Sequence, residues 1–250
     1  MCNRWVLFLL CALCCSPVCR AQSPVQTARP FAVVELYTSE GCSSCPPAEL
    51  IISKLIAASR QNKIRVFPIS FHVDYWNGLG WRDPFSQNLF SQRQYAYGSF
   101  FKTNNVYTPQ VIVNGTHVVE GYNRQKLQDV INHELGEPPF SQLHVKFVKA
   151  KPGTVSVLYR IDEYARGDVL HAVLVERSLQ VDVARGENAG RTLRHDNVAR
   201  DMASISVVGS QGKVDLDLSK VKDMSNGAVI IFVQNALTKL ITAAEQLDLR

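Results

Sequence analysis

Cys42 and Cys45 are the residues whose type and spacing best suit them to chemistry. In Cys42-Ser43-Ser44-Cys45 the two sulfurs can meet across one turn of helix. A dithiol at that spacing closes reversibly to a disulfide, and its thiolate attacks disulfides in other chains. The spacing predicts an exposed first sulfur with the second tucked beneath it. Cys42 then attacks or is attacked first, and Cys45 resolves the mixed disulfide. A helix starting just beyond offers free N–H groups and partial positive charge, which favour a thiolate. Ser43 and Ser44 supply hydroxyls but no cation, and Glu40 and Glu49 oppose the thiolate. The expected thiol pKa is therefore moderately lowered, and the oxidising power modest. An inert disulfide or half of a zinc site would use the same four residues.

Other residues gain meaning beside that pair. Pro109 opens an apparently central strand, where it cannot donate to the ladder. A cis Thr108–Pro109 bond would resolve this and leave Thr108 backbone groups free to pair with a bound peptide. A trans proline on an edge strand is the alternative. Glu35 precedes Cys42 by seven positions. Buried there, its carboxylate would take the second thiol's proton; facing solvent, it would not. His72 and Asp74 follow a second strand that ends beside the first, so His72 is a candidate proton shuttle and Asp74 its orienting group. Trp76 and Trp81 are candidates for lining a peptide groove, or else pack under a long loop. Cys42, Cys45, His72 and Asp74 also have donor types suited to copper or zinc. Nothing in the sequence fixes their geometry, so no metal or other cofactor is assigned.

These residues need a scaffold, and periodicity supplies one. Residues 31–37 (FAVVELY) and 64–71 read as buried strands separated by a helix over 46–60. Pro46 and Pro47 fit only in a first helical turn. A second helix is expected over 86–97. Asn114-Gly115 between two β-rich runs, 109–113 and 116–120, is a strong hairpin signal. A helix over 124–135 stops at Pro138-Pro139. The order over 31–138, β-α-β-α-β-β-α, is that of the thioredoxin fold, with residues 72–85 inserted. Residues 139–250 change character to short β-rich runs punctuated by glycine. They predict a small antiparallel sandwich packed on the first unit. The fold class is thus α/β, α+β overall. The polar run 185–200 reads first as an internally salt-bridged loop. Binding an anion or facing the dithiol are the alternatives.

Composition narrows the setting. The chain has 250 residues, 46% hydrophobic and 20% charged, which excludes a wholly disordered chain and a polytopic membrane protein. A formal charge of +5 is a weak argument for nucleic acid, and no nucleic-acid motif is evident. Five of seven cysteines (Cys2, Cys11, Cys14, Cys15, Cys19) crowd the first nineteen residues. Arg4, the apolar run Trp5 to Cys15, Ser16-Pro17 and Cys19-Arg20-Ala21 read as a secretory signal over 1–21, followed by a polar leader over 22–30. The run is too short for a stable membrane anchor. The mature chain is expected outside the cytoplasm, in the periplasm if the source is Gram-negative, where disulfides persist.

VVELYTSEGCSSCPPAE, ISFHVDYWNGLGWRDPF, VYTPQVIVNG and GENAGRTLRHDNVAR together resemble an exported bacterial family with a thioredoxin-like fold, catalogued as a domain of unknown function. The resemblance implies Cys42 and Cys45 as the dithiol and Pro109 as its cis proline. The chain departs from characterised thioredoxins at Ser43-Ser44, at the insertion, and at Gly41, where a tryptophan is usual. The leading expectation is a thiol–disulfide oxidoreductase whose partners are thiols or disulfides of exported proteins. A non-catalytic binding module with a structural disulfide is the rival, and copper or zinc handling a third reading.

Overall fold

A computed structural model describes residues 29–103 and 105–249. The expected signal over 1–21 and most of the leader lie outside the described residues.

The first half follows the predicted order: β1 (Ala32–Thr38), α1 (Pro46–Asn62), β2 (Val66–His72), α2 (Asn88–Phe100), β3 (Gln110–Val113), β4 (His117–Glu120) and α3 (Arg124–Gly136). Pro46 and Pro47 occupy the first turn of α1, where no internal N–H bond is lost. Strand β1 is buried on both faces. Ala32, Val34 and Leu36 meet Ala48, Ile52 and Ile56 of α1, while Val33 and Tyr37 face the core on the opposite side. Burying a side chain such as Leu36 or Ile52 contributes about 1.5–3 kcal/mol. Strand β1 runs parallel to β2 and antiparallel to β3. In the β1–β2 register Thr38 lies opposite His72. The loops to Cys42 and across residues 73–87 therefore leave from one end of the sheet.

Asn114 (φ 45°) and Gly115 (φ 76°) make the predicted turn between β3 and β4. Only glycine fits at 115, because a Cβ there would lie 1.8 Å from the Lys239 carbonyl oxygen.

The second half is β5 (Leu143–Val148), β6 (Thr154–Ile161), β7 (Asp168–Glu176), β8 (Leu179–Asp182), β9 (Thr192–His195), β10 (Val198–Ser206), β11 (Gln211–Asp217), β12 (Gly227–Asn235) and β13 (Ile241–Asp248). Its strands do not form the expected self-contained sandwich. Four of them continue the first sheet, giving the order β13-β12-β7-β10-β2-β1-β3-β4. A three-stranded sheet, β11-β6-β5, covers one face of that extension. There Leu143, Val157, Ile161 and Leu216 pack on Leu170, Leu174, Ile231 and Val233. The alternate residues of β7 and β12, such as Val173, Val175, Ile230 and Phe232, join the core behind β1 and β2. The correction has a physical cause: β7 and β12 are apolar on both faces, so one sheet bridges two cores and the boundary near 138 does not interrupt it. The hairpin β8-β9 stands apart, and its 183–191 connection reaches back over the start of α1.

Candidate functional site

Cys45 is the residue before α1, and Cys42 closes the preceding turn, its N–H bonded to Ser39 O at 3.1 Å. The two cysteines form a disulfide with a Cα–Cα distance of 5.5 Å. Cys42 is only 1% exposed, contrary to the expectation of an open first sulfur. The backbone of this loop is held from far along the chain. The buried Asn188 side chain donates to Glu40 O at 2.8 Å and to Cys42 O at 3.0 Å, and Arg191 donates to Asn188 Oδ1 at 2.7 Å. Glu187 accepts from the Ser43 N–H at 3.0 Å. The 185–200 run thus faces the dithiol, which was the less favoured alternative for it.

Thr108–Pro109 is cis, and Thr108 O lies 3.7 Å from Cys42 Sγ. Gly121 lies against this proline; a Cβ there would be 2.7 Å from Pro109 Cβ. Trp76 donates its indole N–H to Thr108 Oγ1 at 2.9 Å, and its Cβ stands 3.2 Å from where a side chain at Gly41 would begin. Trp81 donates to Glu40 Oε2 at 2.7 Å. Both tryptophans flank the dithiol loop, each with its polar edge turned into the protein.

Glu35 is buried but held elsewhere. The odd-numbered residues of β1 face away from α1, so Glu35 points toward α2. There it accepts from Arg93 at 2.6 and 2.9 Å, from Tyr97 at 2.7 Å and from Tyr37 at 2.9 Å. Asp74 does not orient His72. Its carboxylate accepts from Ser91 and Asn88 at the start of α2.

The partner of His72 is Asp83, with Nδ1 and Oδ2 2.7 Å apart. Asp83 also accepts backbone N–H bonds from Glu40 and Phe85 at 2.9 and 2.8 Å. Burial opposes its charge, yet His72 and these donors hold its pKa below the usual carboxylate value. On the α1 side of the sheet Glu49 accepts the Thr38 hydroxyl proton at 2.6 Å. His195 lies between two carboxylates, its Nδ1 2.6 Å from Glu49 and its Nε2 3.1 Å from Glu40. Burial disfavours the imidazolium, but the charges and hydrogen bonds of Glu49 and Glu40 outweigh it and push the His195 pKa up to about 10. Glu49 is correspondingly shifted down against its own burial.

Nothing in the local sequence marks Asp83, Asn188 and His195 as site residues. Glu40 and Glu49 entered only as charges opposing a thiolate. The one local signal was Glu49, one helical turn after Cys45 and so on the same face of α1. One donor atom each of Glu49, His72 and His195 lies within 4.8 Å of the others.

A profile for the family described as "Protein of unknown function (DUF1223)" matches residues 33–234. The chain belongs to the DUF1223 family. The DUF1223 chain is also similar to the crystal structure of a protein from Agrobacterium tumefaciens determined by a structural genomics consortium. The two share 29% sequence identity with a TM-score of 0.67, over 89% of this chain and 96% of the other. No curated protein matches the DUF1223 chain in sequence.

Proposed function

We propose that this chain is an exported thiol–disulfide oxidoreductase built on a thioredoxin-like unit, residues 31–138. The observation that carries the reading is the placing of the Cys42–Cys45 disulfide at a strand-to-helix junction, 3.7 Å from the carbonyl that precedes a cis proline. A partner thiolate attacks Cys42 Sγ, the Cys42–Cys45 bond breaks, and Cys45 leaves as a thiolate that takes a proton. A second partner thiolate then attacks the partner's sulfur in the mixed disulfide and expels Cys42. The partner loses two electrons and gains a disulfide, and the chain is left as a dithiol. The reverse sequence reduces a partner disulfide. Thr108 supplies backbone for an extended partner segment, with Trp76 and Trp81 at its rim.

No helix among the described residues is long and apolar enough to cross a membrane. Export is inferred from the 1–21 signal and from the pairing of the two remaining cysteines.

The near-complete burial of Cys42 favours a second reading, a binding module whose disulfide is structural. Trapping separates the two. A Cys45→Ala variant accumulates partner adducts through Cys42 if exchange occurs. No adducts, together with a disulfide inert to glutathione in the unsubstituted protein, would establish the binding module.

A further inference from the structure

The cluster of Glu49, His72 and His195 is not needed for disulfide exchange, and one of its atoms has no partner. His72 is completely buried, and its Nε2 makes no hydrogen bond. Its other nitrogen is fixed. Asp83 already accepts two backbone N–H bonds and can only accept, so Nδ1 carries the proton and Nε2 turns away from Asp83. A buried imidazole nitrogen left unpaired is costly, unless it has a ligand to bind.

We infer that His72 Nε2, His195 Nδ1 and a Glu49 carboxylate oxygen form a binding site for a divalent cation of the zinc class. One donor atom of each of the three residues lies within 4.8 Å of the others. Two imidazoles and one carboxylate form a known zinc ligand set, with a fourth position left to water. Each imidazole has a carboxylate behind it: Asp83 on His72 Nδ1 and Glu40 on His195 Nε2. Such second carboxylates fix the tautomer and orientation of metal-binding histidines. Donors about 2.1 Å from a tetrahedral ion stand about 3.4 Å apart. The His195–Glu49 contact of 2.6 Å would therefore open by about 0.8 Å as the ion replaces the shared proton, which leaves to solvent. Glu49 lines a cleft of about 340 Å³ between α1 and β9, which gives the ion a route in. The set differs from the one suggested by sequence: His72 is kept, Asp74 is replaced by Glu49 and His195, and neither cysteine is a ligand. The site does not depend on disulfide exchange.

The test uses the full mature protein with its disulfide closed, so that no thiolate is present to bind metal. After dialysis against zinc and then metal-free buffer, elemental analysis is expected to find one zinc per chain. His72→Gln and Glu49→Gln abolish it. Asp83→Asn, which removes no ligand, weakens zinc binding about 10- to 100-fold. His133→Gln, in the exposed His117–His133–Glu134 group, leaves it unchanged. Cobalt(II) added to the unsubstituted protein gives the visible bands of a four-coordinate site, a readout that does not require any variant to fold. The inference is overturned if the unsubstituted protein retains no zinc, if zinc persists in His72→Gln but is lost in His133→Gln, or if cobalt stays six-coordinate. A Cys42→Ser/Cys45→Ser protein should still bind zinc, and loss of zinc there would overturn the inference; failure to trap partners through Cys42 would end the redox reading and leave the zinc site intact.

Discussion

Replacing Asn188 by alanine should unlock the dithiol. Asn188 is fully buried, and its side-chain amide donates to the carbonyls of Glu40 and Cys42 at 2.8 and 3.0 Å. Each such bond contributes about 1 kcal/mol net. Both are lost only from the closed state, because water satisfies the two carbonyls once the 183–191 segment lifts. The closed state is then weakened by about 2 kcal/mol, and since 1.4 kcal/mol corresponds to tenfold, the open fraction rises about 30-fold. The assay is reduction of the Cys42–Cys45 disulfide by excess dithiothreitol, quenched at intervals with a maleimide and counted by mass. Asn188→Ala should be reduced about 30-fold faster than the unsubstituted protein, at a temperature where circular dichroism shows both folded. An unchanged rate in a folded variant would refute the reasoning, because reagent would then be reaching the sulfurs without moving this segment.

Two other substitutions probe the scaffold. Glu35→Gln leaves Arg93 buried without its counter-charge and should cost about 3–5 kcal/mol in urea unfolding. The Cys42–Cys45 reduction potential should not move, since Glu35 points toward α2; a shifted potential would return Glu35 to the site. Gly115→Ala combines a φ of 76° with a Cβ 1.8 Å from Lys239 O, so it should unfold at clearly lower temperature, with a loss of at least about 1–2 kcal/mol from the backbone alone.

The features read correctly from sequence were local ones. The Asn114-Gly115 turn and the double proline opening α1 follow from backbone preferences of the residues concerned, and the cis bond at Pro109 from a proline opening a central strand. Strand neighbours are a different matter. The apolar run 169–175 marks a strand, but the partners of β7, which are β10 and β12, are set by packing on both its faces. The continuous apolar character of β7 was the available sign that it lies inside a sheet. Strand β10 begins at Val198, and Arg200 and Asp201 mask its pattern in the sequence. Strand β13, with two alanines and a glutamate, has weak β preference and went unseen. At the site, the Cys42–Cys45 spacing is plain in the sequence, but the bond from Asn188 to the Cys42 carbonyl is not, because it spans 146 positions. The role given to Glu35 failed on strand parity: one residue's difference turns a side chain from α1 to α2.

The join between β2 and β10 also governs how the chain can come to its native state. Without β10, β2 is an open edge, and an open edge invites pairing with other chains. Here it is closed by a single register pair, Val198 with Ser70, and by Asn197 and Ser70 side chains bonding backbone across the seam. The Ser70–Asp196 contact spans 126 positions. Closing so long a loop is entropically slow. During synthesis, the segment that carries the cysteines therefore emerges with its neighbouring strand unguarded until about two hundred residues are available, and half-length fragments should associate more readily than the whole chain.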